Sequence, residues 1–143
     1  MLTDVSDPTR LARLLAQLSG DLVLVMDTHG RIRTAVAGPD TPAGLDVAAW
    51  EGHDWADTVS PETGHKVARI LSEVAASGRS GRKELNHPME GGGWSAWAYH
   101  AVRIDDGQTC LAMGRDPSAQ SALQQRLLRA QCELEARGWP SSS

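Results

Sequence analysis

Two short glycine-closed links dictate most of the geometry open to this chain. The apolar runs DLVLVMD (21–27) and RIRTAVAG (31–38) are separated only by Thr28-His29-Gly30. The runs WSAWAYHAVRI (94–104) and QTCLAMG (108–114) are separated only by Asp105-Asp106-Gly107. Links this short, ending on Gly or an Asp-Gly pair, close hairpins, whereas parallel strands need crossovers of a dozen residues or more. The sheet is therefore expected to be antiparallel. RKELNHP (82–88) supplies a fifth strand, joined to the long one through Gly91-Gly92-Gly93.

Three helices frame these strands. Asp7-Pro8, Ser60-Pro61 and Asp116-Pro117 each set a capping residue before a proline, and proline suits the first helical position because its missing N–H would have no partner there anyway. The first helix carries Leu11, Leu14, Leu15 and Leu18 at i, i+3, i+4, i+7 and is expected to stop at Gly20. The second carries Val67, Ile70, Leu71 and Val74 at the same spacing, with Glu62 in its first turn, and is closed by Gly78. The third runs almost to the C-terminus. The element order is helix, two strands, a helical middle, three strands, helix, an α+β pattern.

Several strands are apolar on both faces. Leu22, Leu24 and Met26 alternate with Val23 and Val25, and Cys110 and Ala112 alternate with Leu111 and Met113. A sheet with one wet face alternates apolar and polar residues instead. One face is thus expected against the middle helices. The other needs a second cover, either the leucine face of the first helix or a partner subunit.

Composition narrows the function classes. A chain of 143 residues fits one domain, and 41% hydrophobic with 22% charged residues is ordinary for a globular one. A net charge of −4 gives no electrostatic case for nucleic-acid binding. Cys110 and Cys132 make neither a disulfide framework nor a zinc spacing. The N-terminus, with Asp4 and Asp7, lacks the apolar run of a signal peptide, and no stretch is apolar enough to cross a bilayer. A cytoplasmic location with no membrane contact is the expectation.

The stretches GDLVLVMDTHGRIRTAV, WEGHDWADTV, LNHP, YHAVRI, MGRD and LQQRLLRAQ, in that order, resemble the N-terminal PAS domain of PpsR/CrtJ-type transcriptional repressors of photosynthesis genes. The resemblance extends from about Leu14 to Glu135. It implies a PAS core at 21–116: a five-stranded antiparallel sheet with helices on one face. An N-terminal cap helix (1–20) precedes the core, and an amphipathic, coiled-coil-like linker helix (117–137) and a disordered tail (138–143) follow it. In the family, further PAS domains and a helix-turn-helix come after the linker. This sequence ends at RGWPSSS, so it is expected to lack the DNA-binding region, as a fragment or as a free-standing short relative. The role that carries over is regulatory self-association, with a regulatory protein as a further partner.

On the last helix, Leu123, Leu127, Ala130 and Leu134 alternate steps of four and three, the spacing of a two-helix seam, with Gln120 extending it backwards and Arg137 ending it. Those leucines either meet a second copy or pack back on their own sheet, and the dimer seam is the favoured reading. Leu11, Leu14, Leu15 and Leu18 form the second expected assembly face, equally suited to covering the sheet. Light-sensing flavin members of the PAS family carry a reactive cysteine after the second strand, and neither cysteine here fits that place. Haem members use a histidine of the middle helix, but His65 lies off the apolar face and is expected in solvent. His87 is read as bonding locally before Pro88, and His100, sharing parity with Val102 and Ile104, as half-buried. If a ligand pocket exists, Trp55, Leu71 and Trp97 are its candidate lining, although the tryptophans equally suit core filling. No catalytic residues, metal ligands or cofactor are expected, since no nucleophile elbow or phosphate loop is formed. The expected function is a sensory or regulatory module acting through homodimerisation or higher assembly. The alternative is a small-molecule, haem or flavin sensor.

Overall fold

The structure, a computed structural model, describes residues 7–136 apart from 20, 40, 105 and 106, and leaves out the side chains of 118–125, 135 and 136. Gly20, the Asp105-Asp106 turn, the side chains of Gln120 and Leu123, Arg137 and the 138–143 tail thus lie outside the described residues. The helices are α1 (Pro8–Ser19), α2 (Pro61–Ser77) and α3 (Pro117–Ala136). The strands are β1 (Leu22–Asp27), β2 (Ile32–Val36), β3 (Lys83–Pro88), β4 (Trp94–Ile104) and β5 (Thr109–Arg115). Two short 3-10 turns, Val47–Trp50 and Trp55–Thr58, lead into α2. The strands form one antiparallel sheet in the order β2-β1-β5-β4-β3.

Both sheet faces are dry in the middle, for different reasons. On one, Leu22, Leu24, Met26, Leu85 and Tyr99 pack with Val67, Ile70 and Val74 of α2 and with Trp50 and Trp55 of the 3-10 turns. On the other, Val23, Val25 and Leu111 lie under Ala12 and Ala16 of α1. The leucine face of α1 is therefore not its main packing face. Two alanines one turn apart let the helix backbone approach the sheet, and only Leu15 of the four leucines packs against that cluster as a partly buried side chain. Leu14 and Leu18 are exposed.

The capping devices differ in detail. Asp7 caps α1 by accepting the Arg10 N–H at 3.2 Å. Ser60 makes no side-chain bond to the backbone of α2; its hydroxyl pairs with that of Thr63 at 2.9 Å. Gly78 closes α2 with φ +88°, its N–H donating to the Val74 carbonyl at 2.8 Å.

The start of α2 also covers the free edge of β3. Ser60 N–H donates to the Asn86 carbonyl at 2.7 Å, Asn86 N–H donates to the Thr63 hydroxyl at 3.4 Å, and Lys66 Nζ donates to the Glu84 carbonyl at 3.2 Å. These bonds occupy the Glu84 carbonyl and both backbone groups of Asn86 on that edge. On the two central strands, Arg115 forks onto buried Asp21 through two bonds of 3.3 Å, tying the residue before β1 to the last residue of β5, with Asp116 alone between it and α3.

Gly114 faces Tyr99 across the β4–β5 pair. A Cβ there would stand 2.6 Å from the Tyr99 ring, closer than packed carbons approach, and a ring held in a full core has nowhere to go. Gly114→Ala is therefore expected to lower the unfolding free energy by about 1–3 kcal/mol, measured by urea denaturation. An unchanged midpoint would mean that Tyr99 is free to move aside.

Candidate functional site

The interior between the sheet and the helical middle is organised around one polar side chain. His87, on β3, is fully buried. Its Nδ1 lies 2.6 Å from the Thr58 carbonyl and its Nε2 lies 2.7 Å from the Tyr99 hydroxyl. A carbonyl only accepts, so Nδ1 carries the proton and Nε2 accepts from the Tyr99 O–H. The neutral ring is thereby fixed in one tautomer with both nitrogens satisfied. Trp50 stacks on it with centroids 4.1 Å apart and planes 21° from parallel. Trp55 meets Tyr99 edge-on at 5.2 Å. The indole N–H of Trp55 is buried with no acceptor among the described residues.

Burial pushes the His87 pKa from 6.5 down to about 4, against the opposing effect of the Thr58 carbonyl. Burial likewise holds the Tyr99 hydroxyl well above its ordinary value, so it stays a donor. The bond to Thr58 is long-range, not the local one expected beside Pro88. It ties β3 to the 3-10 turn just ahead of α2, while the bond to Tyr99 ties β3 to β4.

The residues singled out as a pocket border one and the same hydrophobic core. Trp55 and Trp97 are buried in the aromatic core, and the Trp97 indole N–H donates to the Ser95 hydroxyl at 2.8 Å. Leu71 packs against that core as a partly buried side chain and lies under Gly30, where a Cβ would come within 2.8 Å of its Cδ1. It also lines a hollow of about 70 Å³ with Val74, Ala75, Cys110, Thr28 and Arg103. Ligand pockets occupy roughly 300–1,000 Å³, so this hollow is too small for a haem or a flavin without repacking. Burial pushes the Cys110 thiol up to about 11, leaving it protonated and unreactive.

His65 and His53 are exposed. His100 is exposed as well, contrary to the half-burial that its strand parity suggested. Val102 and Ile104 share that parity and do pack with the α1 cluster, but His100 lies outside it. On α3, Leu127, Ala130 and Leu134 are exposed, and so is Leu128, one residue off the expected seam. The signal for the His87 cluster was available in part: the period-2 pattern sets Leu85 and His87 on one face of β3. Its partners, 29 and 12 residues away, carried none.

Unfolding releases His87 to titrate near 6.5, whereas the folded ring holds off protonation to about 4. The contribution of the neutral ring is complete above pH 6.5 and declines as pH falls toward 4. Between pH 7 and pH 5 this amounts to roughly 2 kcal/mol of unfolding free energy. Urea titrations of wild type and His87→Leu at both pH values should show that extra loss in wild type only; parallel losses would contradict the buried neutral ring. Tyr99→Phe leaves Nε2 without its donor and is expected to cost about 1–3 kcal/mol at pH 7.

With this geometry in view, similarity to known proteins is informative. A family model described as PAS fold matches residues 17–122. Protein CrtJ of Rhodobacter capsulatus is 29% identical over 115 residues, covering 80% of this chain and 24% of CrtJ. The chain thus spans about a quarter of that curated relative's length. Among solved structures, a PAS domain from Colwellia psychrerythraea superposes with a TM-score of 0.59 at 20% identity, covering 77% of this chain and 97% of that one. A domain of a sensor histidine kinase/response regulator from Geobacter sulfurreducens gives 0.58 at 18%, covering 81% and 100%. The PAS domain of the RpfR quorum-sensing receptor of Cronobacter turicensis, in complex with BDSF, gives 0.55 at 16%, covering 69% and 95%. The antiparallel sheet, the helical middle packed on one face and the matched residues agree: the chain belongs to the PAS-fold family.

Proposed function

We propose that this chain is a non-enzymatic regulatory PAS module that works by pairing with a second copy of itself through α1 and α3. One observation carries the reading. Among the described residues, the exposed large hydrophobic side chains are Leu14 (49%), Leu18 (84%), Trp94 (55%), Leu127 (63%), Leu128 (62%) and Leu134 (47%), and all but Trp94 lie on the two terminal helices. Helices that show leucines to water on either side of a full domain are suited to burial against a partner. An isolated helix of α3's 20 residues gains most of its stability from such packing.

The junction of β5 and α3 supplies a route for a signal. The Asp21–Arg115 fork fixes the sheet one residue before Asp116, so a shift at the sheet is passed through Met113-Gly114-Arg115-Asp116 into the rotation or register of α3. The resemblance to PpsR/CrtJ-type repressors supports transcriptional regulation as the setting. The aromatic filling around His87 supports a module read through its helices rather than through a large bound cofactor.

Sedimentation of wild type and of Leu127→Glu/Leu134→Glu tests this. Wild type should sediment as a dimer or larger assembly. The double variant, altered only at exposed positions, should be monomeric with an unchanged core unfolding midpoint. A variant that remains dimeric would exclude the α3 seam.

A further inference from the structure

Apart from the terminal helices, one surface among the described residues gathers cationic side chains from two elements. Between α2 and β3 lies an open cleft of about 500 Å³ lined by His65, Lys66, Arg69, Arg82, Lys83 and Glu84. Lys66 and Arg69 are three apart on α2, so they share a helix face. Arg82 and Lys83 enter from the start of β3. Glu73, bonded to Lys83 at 2.9 Å, is the nearby carboxylate already engaged. Setting Glu73 and Glu84 against the four Lys and Arg side chains leaves two positive charges in excess, on a chain whose net charge is −4. Arg82 also borders a second depression of about 230 Å³ with Ala98, His100 and Arg115. There the Arg115 guanidinium is already paired with Asp21, so Arg82 is, among the described residues, the unpaired guanidinium that the two depressions share.

We propose that this cleft docks an acidic segment of a partner protein. Side-chain charge is the means of recognition, because the Glu84 carbonyl and both backbone groups of Asn86 on this edge are already taken by Lys66, Ser60 and Thr63. A row of carboxylates matches cations spread over two elements. A single phosphate would instead need donors converging on one point, and the cleft has no helix N-terminus among its lining residues. Nucleic acid is disfavoured by the negative charge of the remaining surface. Arg69 and Arg82 are exposed, with planar forks suited to carboxylate pairs.

The test is an NMR titration of the intact, isotope-labelled chain with a synthetic Glu/Asp-rich peptide. Its Gln/Asn counterpart, inorganic phosphate and a short DNA duplex serve as comparison probes. Shifts induced by the acidic peptide should cluster at 65–70 and 82–84. Affinity should fall about tenfold or more in Arg69→Glu/Arg82→Glu, and by a similar factor when NaCl rises from about 50 to about 500 mM. Arg82→Gln alone should give an intermediate loss. No binding, binding unaffected by these substitutions, or equal effects from the amide peptide, phosphate or DNA would each overturn the proposal. Self-association is read separately by sedimentation, so failure here leaves the α1 and α3 faces untouched.

Discussion

The fold depends on a buried imidazole being kept neutral and doubly bonded. His87 joins three segments that are distant in sequence: β3 itself, the Thr58 carbonyl ahead of α2, and Tyr99 on β4. A polar ring this deep is tolerated only because each nitrogen has a partner of the right kind. Its surroundings are arranged to allow that. Gly114 lacks a side chain where the Tyr99 ring lies, and Trp50 covers the face of the imidazole. The helical middle is consequently held to the sheet by specific bonds as well as by apolar packing. Specific bonds fix one arrangement where apolar contact alone would allow several.

Aromatic rings fill the space beneath the helical middle, with Trp50 stacked on His87 and Trp55 edge-on to Tyr99. The core is bracketed by α1, seated on the sheet through two alanines, and by α3, leaving directly from the Asp21–Arg115 fork. Both helices retain leucines that their own domain does not bury. Both helices also join the sheet at its central strands, α1 ahead of β1 and α3 after β5.

Most of the architecture was legible in the sequence because short-range rules decide it. Thr28-His29-Gly30 and Asp105-Asp106-Gly107 required hairpins, and the Val67/Ile70/Leu71/Val74 spacing identified the core-facing side of α2, with Leu71 partly buried. Misreadings arose where tertiary contacts set the outcome. Four leucines at helical spacing outweighed Ala12 and Ala16 in any hydrophobic count, yet small residues win where a helix must approach a sheet closely. His100 had the correct parity but lay outside the patch that α1 covers. His87 looked local because Pro88 was its visible neighbour, whereas its partners arrive through the β3–β4 register and the turn before α2. The cationic cleft was half visible, since Arg82 and Lys83 are adjacent in sequence but Lys66 and Arg69 join them only in the fold.

The central claim is that a filled PAS core presents its terminal helices to a second copy. Native mass spectrometry of the freshly purified chain tests it most directly, because stoichiometry and bound mass are read in one spectrum. A dimer or larger assembly at an integral multiple of the chain's own mass is the predicted result. A monomer carrying additional mass would contradict it, moving function from the helices to the interior.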